Sequence, residues 1–305
     1  MTRADVERAR SVLAGRIHRT PTLRSASLGV SLKAELFQKT GSFKVRGALN
    51  RIAALTPDER RRGVVTWSAG NHAQAVAWAA AEEGVDCLVQ MWDGVSALKV
   101  QATHGYGAVV DLSPPDAAAA YDRALAVVEE QGRVFVHPHS DTHVIAGHGT
   151  LALELLEEVT DLETVVVGVG GGGLVAGIVT ALDGRARVVA VQPERAQAFT
   201  AGLAAGRSIS VETDTIADGL APPFAGELPL ALCRDRVETV LVSEEEIAEG
   251  MRFLYARAKL ACEPAGAAAA GAVLAGKVEA RPGAAVIVSG GNVEPKQAAA
   301  ILRGQ

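Results

Sequence analysis

Short, continuously apolar segments alternate along the chain with longer alanine-rich stretches, and this alternation limits the possible folds more than any other feature. The apolar segments are 64–66, 87–91, 108–111 and 134–136 in the first half, and 164–167, 188–191, 240–242 and 285–288 in the second half. Continuous apolar strands separated by helices are typical of parallel sheets that helices cover on both faces. The two series predict an α/β chain with two doubly wound parallel-sheet domains.

The same two series predict the domain boundaries. We expect residues 1–50 and 143–305 to form a larger domain and residues 51–142 to form a smaller one. In doubly wound sheets, ligands bind beyond the carboxyl ends of the strands, where the following helices begin. The loops at 68–71, 170–173 and 289–292 each follow a predicted strand, so we expect them at this edge.

Composition excludes several functional classes. A net charge of -5 gives no electrostatic support for nucleic-acid binding. The three scattered cysteines, Cys87, Cys233 and Cys262, are typical of a reducing compartment and not of a disulfide scaffold. The charged N-terminus has no apolar signal core, and the longest apolar stretch, around 265–275, is too short to span a membrane. We therefore expect a cytoplasmic protein that binds neither nucleic acid nor membrane.

One lysine has the setting of a nucleophile. Lys44 opens a predicted helix, directly after Phe43 and a Thr-Gly-Ser turn at 40–42. A partly desolvated lysine has a lowered pKa and can attack a carbonyl carbon to form an imine. Most lysines at helix starts are simply solvated, so the interpretation depends on the three loops named above, which contain Ser-Ala-Gly-Asn-His, four glycines and Ser-Gly-Gly-Asn.

The four consecutive glycines, at 170–173, predict an anion site. They follow a strand and lead into a helix at Leu174, an arrangement in which backbone N–H groups converge on an anion. No lysine follows in the loop, which excludes a nucleoside-triphosphate loop. The spacing of Gly168, Gly170 and Gly173 also matches a dinucleotide site, but the next strand ends in Gln192, where an acidic residue usually binds the ribose. A single phosphate fits better, and a tight turn without a ligand is the structural alternative.

Together, in this order, the four motifs resemble the fold-type II pyridoxal-phosphate enzymes, whose fold is tryptophan synthase β-like. Within that group the chain is similar to the threonine/serine dehydratase and serine racemase branch, from about Pro21 to Asn292. The resemblance implies pyridoxal 5'-phosphate as cofactor, a small amino acid as substrate and assembly as a homodimer. It implies a lyase that converts a β-hydroxy amino acid, L-threonine and/or L-serine, to a 2-oxo acid and ammonia by β-elimination.

The resemblance also implies roles for individual residues. Lys44 would hold the cofactor as a Schiff base and then move the Cα proton, and Phe43 would pack against the cofactor ring. Asn71 would hydrogen-bond the ring hydroxyl, and Ser289 would face the pyridine nitrogen. The cofactor phosphate would be bound by Gly170, Gly171, Gly172, Gly173 and Leu174. The substrate carboxylate would be bound by the turn that contains Ser68, Ala69, Gly70, Asn71 and His72.

Three positions depart from relatives in this branch. Ala69 replaces the second serine of the racemases, which protonates the face opposite the lysine, so we expect dehydration and not efficient racemisation. Gln192 and Ala198 replace acids of relatives that a divalent ion activates, and the loss of that charge disfavours a hard cation, so no metal site is predicted. Serine racemase and 3-hydroxyaspartate dehydratase activities stay open as alternatives within the family.

A histidine-rich segment supports an alternative from another class. His137, His139, Asp141 and His143 form the pattern His-x-His-x-Asp-x-His, which is close to metal-binding patterns of zinc hydrolases. A zinc-dependent hydrolase is therefore the competing hypothesis. Under the resemblance, the same segment is only a crossover between the two domains.

Overall fold

Ten strands form two sheets in the computed structural model, which describes residues 1–304. The strands are β1 (Thr22–Ser25), β2 (Val30–Ala34), β3 (Val64–Trp67), β4 (Cys87–Gln90), β5 (Val109–Asp111), β6 (Val134–Phe135), β7 (Thr164–Gly168), β8 (Arg187–Pro193), β9 (Glu238–Val242) and β10 (Ala284–Val288). The larger sheet has the order β1-β2-β10-β7-β8-β9, and the smaller has the order β5-β4-β3-β6. All neighbouring strands are parallel except β1 and β2. The predicted α/β class with two parallel sheets is confirmed.

Helices connect these strands and cover the sheets. They are α1 (Arg3–Leu13), α2 (Lys44–Ala53), α3 (Pro57–Arg62), α4 (Asn71–Glu82), α5 (Ala97–Gly105), α6 (Ala117–Gln131), α7 (Thr142–Glu158), α8 (Gly173–Leu182), α9 (Ala198–Ala205), α10 (Glu227–Cys233), α11 (Glu244–Phe253), α12 (Pro264–Leu274) and α13 (Pro295–Arg303). The strands of the smaller sheet lie between 64 and 135, and those of the larger sheet lie at 22–34 and 164–288. The exact bounds 1–50, 51–142 and 143–305 stay a prediction.

Two strands of the larger sheet, β1 and β2, were not predicted from the sequence. They form an antiparallel hairpin, and β2 pairs with β10 in the centre of the sheet. All five residues of β2 are buried, including Lys33, whose ammonium lies 2.7 Å from Glu154 and 2.9 Å from Glu158. A buried lysine is stable only when it is paired, and its partners lie far along the chain, so no local apolar pattern indicated this strand.

Buried charges anchor α2, the helix that Lys44 begins. The guanidinium of Arg46 lies 2.8 Å from Glu35 and 2.6 Å from Glu154, and the side chains of Arg46 and Glu35 are almost fully buried. Burial alone would raise the pKa of Glu35, but the charge and hydrogen bonds of Arg46 more than offset it and hold the pKa below its usual value. A paired network of this kind fixes the position of α2 and therefore the direction of Lys44.

Close helix contact also fixes α2 against α7. A Cβ added to Gly147 would stand 2.3 Å from the carbonyl oxygen of Arg46, so only glycine permits this crossing.

Across residues 1–304, no helix is both long enough and apolar enough to cross a membrane.

Candidate active site

A cavity of about 510 Å³ opens at the carboxyl ends of β3, β7 and β10, between the two sheets. The structure brings every site residue predicted from the sequence to its wall. Lys44 and Phe43 lie on one side, and the loops that begin at Ser68, Gly170 and Ser289 lie around them. The segment 218–223, which lies between α9 and α10, also lines the cavity. Four motifs that are distant in sequence therefore form one site.

Backbone contacts tie Lys44 to the loop that follows β10. Thr40 and Gly41 both have positive φ, 64° and 74°, and turn the chain into α2. Ser42 pairs with Gly290 as an isolated bridge, and the Phe43 N–H donates to the Ser289 carbonyl over 3.1 Å. The start of α2 and the pyridine-facing candidate Ser289 are thus held at a fixed separation.

The amine of Lys44 has the electrostatics of a nucleophile. Its Nζ donates to the Pro138 carbonyl over 2.8 Å, and the structure places no carboxylate against it among residues 1–304. Burial without a counter-charge lowers the pKa of Lys44 to about 8. About a tenth of the amine is consequently neutral, and nucleophilic, at pH 7, far more than for a solvated lysine.

Asn71 is oriented by hydrogen bonds on both ends of its amide. Its Nδ2 donates to Glu263 Oε1 over 2.7 Å, and its Oδ1 accepts from Asn292 Nδ2, also over 2.7 Å. Asn292 Nδ2 donates as well to the Thr40 carbonyl over 2.7 Å. Because the amide is fixed in this way, Nδ2 has one remaining N–H, which is the donor that a ring hydroxyl or phenolate would need.

Glu263 is a site residue to which the sequence reasoning assigned no role. It directly precedes α12, and its side chain is buried against Gly290. A Cβ added to Gly290 would stand 2.3 Å from the Oε1 atom of Glu263. Burial, followed by the charge of Asp218, raises the pKa of Glu263 to about 8. The carboxyl is therefore mainly protonated at neutral pH. The only local signal was the Glu-Pro pair at a helix start, which does not reveal a contact with Asn71.

The glycine loop has the close packing and the free N–H groups of an anion cradle. It leads into α8, and no hydrogen bond from the amides of Gly170 to Gly173 occurs within residues 1–304. At Gly172, φ is 94° and a Cβ would stand 2.8 Å from the ring of Phe199. Free N–H groups at a helix N-terminus bind phosphate, so the single-phosphate prediction fits this geometry.

The turn after β3 offers a second group of donors. Its Gly70 N–H donates to Ser68 Oγ over 3.1 Å, and α4 begins directly afterwards at Asn71. The first N–H groups of a helix have no acceptor within the helix and suit a carboxylate. The imidazole of His72 points away from this role, because its ring nitrogen Nε2 lies 2.9 Å from the Val136 carbonyl. His72 can therefore contribute only its backbone N–H.

The histidine-rich segment does not form a metal centre. Across residues 1–304, no group of three or more His, Cys, Asp or Glu side chains is arranged to hold a metal ion. Asp141 instead caps α7 and lies 2.9 Å from Arg51, and His137 Nδ1 accepts from the backbone N–H groups of residues 139 and 140. The arrangement of these side chains therefore contradicts the zinc-hydrolase hypothesis: the segment connects the two sheets, and Asp141 and His137 bind other groups.

Gln192 occupies its position with its own hydrogen bonds. Its Nε2 donates to the Ala196 carbonyl over 3.2 Å, and its Oε1 accepts from the N–H and hydroxyl of Thr200, both over 2.8 Å. Both polar atoms of the Gln192 side chain are thus satisfied by neighbouring groups of the protein.

Comparison with known proteins decides the family. Residues 13–290 match the family described as pyridoxal-phosphate dependent enzyme. The chain belongs to this family. The resemblance inferred from the motifs is confirmed, and the cofactor is pyridoxal 5'-phosphate. The protein is a pyridoxal-phosphate enzyme with the Lys44 amine, the glycine cradle and the Asn71 amide facing one cavity.

Within the family, the chain is similar to enzymes named threonine ammonia-lyase, threonine dehydratase and serine racemase. The chain is 42% identical to L-threonine ammonia-lyase of Thermotoga maritima over 96% of this chain and 76% of the relative. It is 40% identical to the catabolic L-threonine dehydratase of Escherichia coli K12 over 95% of this chain and 92% of the relative. The solved structure of maize serine racemase superposes with a TM-score of 0.91 at 35% identity and covers 97% of this chain and 94% of the racemase.

Proposed function

We propose that the protein is a pyridoxal-phosphate-dependent ammonia-lyase that converts L-threonine, L-serine or both to the 2-oxo acid and ammonia. One observation carries the proposal: a single lysine amine with a pKa lowered to about 8 faces a cavity between a phosphate cradle and a carboxylate-binding turn. The similarity to relatives named L-threonine ammonia-lyase and L-threonine dehydratase supports this choice of substrate.

The chain's own residues would divide the work as follows. Lys44 would carry the cofactor as a Schiff base and, once the substrate has replaced it, would remove the Cα proton with its neutral amine. When bound, the cofactor supplies an electron sink for the charge that develops at Cα. A carboxylate facing the pyridine nitrogen would keep that nitrogen protonated. The Ser289 hydroxyl would leave it largely unprotonated, which favours elimination.

Substrate orientation follows from the turn after β3. The free N–H groups at the start of α4 and the Ser68 hydroxyl would hold the substrate carboxylate, and Asn71, fixed by Glu263, would hold the ring oxygen. Ala69 stands in this turn without any group that can carry a proton. The face opposite Lys44 would therefore lack a donor from this position, and elimination would dominate over racemisation.

The test is a product assay on purified, cofactor-loaded protein. L-Threonine, L-serine and threo-3-hydroxyaspartate are supplied separately, and 2-oxo acid, ammonia and the D-isomer are measured for each. We expect 2-oxo acid from L-threonine or L-serine. Lys44→Ala should lower turnover by at least about a thousandfold, because it removes both the attachment point and the base. The matched control Lys296→Ala, at an exposed position of α13, should keep full activity.

Other outcomes would redirect the proposal. Product from 3-hydroxyaspartate alone, or D-serine as the main product, would assign the protein to another activity of the same family. A Lys44→Ala variant with full turnover would refute the assignment of the base. Assembly as a homodimer and a cytoplasmic location also stay predictions; light scattering of the purified protein tests the first.

A further inference from the structure

His139 lies directly against the glycine cradle, although the proposed reaction gives it no role. A Cβ added to Gly171 would stand 2.4 Å from both Cγ and Nδ1 of His139, and one added to Gly173 would stand 2.9 Å from its Cα. The imidazole therefore occupies the space that a side chain at Gly171 would fill. This position explains why the loop must be glycine here, and it places a polar ring beside the free N–H groups of the cradle.

The surroundings of His139 leave its ring without a polar partner. The residue is 5% exposed and lines the cavity. Its ring packs edge-on against Phe224, with centroids 5.9 Å apart, and against His137, at 4.6 Å. Within residues 1–304, Nε2 is enclosed without a hydrogen-bond partner. Leaving a buried polar atom unpaired costs about 1–3 kcal/mol, so a histidine that lines a binding cavity with such an atom would gain stability from a polar contact with a ligand.

Two other buried titratable groups of the cavity have partners: Lys44 donates to the Pro138 carbonyl, and Glu263 accepts from Asn71. His72 contacts the Val136 carbonyl through Nε2, and its Nδ1 has no partner, but only the ring of His139 lies against the glycine cradle. Burial and the neighbouring His137 and Lys44 hold the pKa of His139 well below its usual value, so its ring is neutral and carries one N–H. A neutral ring that keeps one donor beside an anion cradle is suited to a phosphate oxygen.

We propose that His139 donates a hydrogen bond to the phosphate of the bound cofactor and supplements the backbone N–H groups of Gly170 to Gly173. A side-chain donor at this point would add one hydrogen bond to those of the backbone N–H groups. The proposal rests on the cofactor of the family and not on the substrate proposed above.

The test compares two ligands that differ only in the phosphate. Cofactor-free protein is titrated with pyridoxal phosphate and, separately, with pyridoxal, and both dissociation constants are measured by absorbance and fluorescence. His139→Phe keeps an aromatic ring against Gly171 and Phe224 but removes the donor. We expect it to weaken pyridoxal-phosphate binding about ten- to a hundredfold, the range for a hydrogen bond to a charged group, and to change pyridoxal binding less than about twofold.

Two further variants sharpen the comparison. His139→Gln retains a donor and should recover most of the affinity for pyridoxal phosphate. His104→Phe changes an exposed histidine of α5 and should alter neither constant. Equal weakening of both ligands by His139→Phe, or no weakening of either, would overturn the proposal and leave the ring with a packing role only.

A measurement on the unaltered protein keeps the proposal testable if His139→Phe does not fold. In protein labelled with ¹⁵N-histidine, with the His139 signals assigned through His139→Gln, pyridoxal phosphate should shift a ring nitrogen of His139 and pyridoxal should not. The same shift with both ligands, or with neither, would contradict the contact with the phosphate.

Discussion

Protonation of Glu263 in the folded protein makes stability depend on pH in a way that one substitution can remove. The carboxyl is buried beside Asn71, and burial raises its pKa from 4.5 to about 8. Between these two values, the folded state binds a proton that the unfolded chain has released. The contribution of this proton to the free energy of unfolding is fully present below pH 4.5, the pKa of Glu263 in the unfolded chain. It is lost as the pH rises through about 8, the pKa of Glu263 in the folded protein.

The size of the effect follows from the width of this window. One group that is protonated only in the folded state lowers the free energy of unfolding by about 1.4 kcal/mol for each pH unit. From pH 5.5 to 7.5, both inside the window, the wild-type protein should therefore lose about 2.5 kcal/mol relative to a variant without this titration. For a chain of this length, that difference corresponds to roughly 4 °C in the thermal midpoint.

Glu263→Gln is the appropriate variant, because the amide oxygen can still accept from Asn71 Nδ2 and carries no titrating proton. The assay is thermal unfolding of cofactor-free wild type and variant at pH 5.5 and 7.5. The buried histidines titrate in both proteins, so they cancel in the difference. Glu212→Gln, at an exposed glutamate, is the matched control and should follow the wild type. If wild type and Glu263→Gln show the same change of midpoint with pH, Glu263 is not protonated in the folded protein and the reasoning fails.

Further predictions concern the support of α2, the substrate turn and the cradle. Arg46→Met would leave the buried carboxylate of Glu35 without its ion-pair partner and should lower the free energy of unfolding by about 3–5 kcal/mol in urea titrations, whereas Arg61→Met at an exposed pair should change it by less than about 0.5 kcal/mol. Ala69→Ser should increase D-serine formation from L-serine in a chiral chromatography assay, and no increase would show that a donor at this position is not limiting. Gly171→Ala should weaken cofactor binding by at least about tenfold, since the new Cβ would stand 2.4 Å from the imidazole of His139. The control Gly105→Ala, whose Cβ would have nothing within 4 Å, should bind the cofactor normally. Normal binding by Gly171→Ala would contradict the close packing of the loop.

The parallel strands and the site loops were predictable because their signals are local. Segments such as 164–167 and 285–288 are continuously apolar, and the loops that follow them contain glycine and asparagine in recognisable order. Strand ends of parallel sheets meet at one edge, so the loops could be assigned to a shared site before any geometry was known.

The remaining features depend on contacts between distant residues. Strand β2 contains a buried lysine whose charge is balanced by glutamates of α7, more than a hundred residues away. The orientation of Asn71 depends on Glu263, and the position of His139 depends on Gly171. A histidine pattern alone suggested metal ligands, because spacing in sequence does not show which way each side chain points.

Peptide mass spectrometry identifies the lysine that holds the cofactor. Protein loaded with pyridoxal phosphate is reduced with borohydride, which makes an imine bond to lysine permanent, and is then digested. We expect a cofactor adduct on the peptide that contains Lys44 and on no other lysine. An adduct on a different lysine, or no adduct after loading, would contradict it.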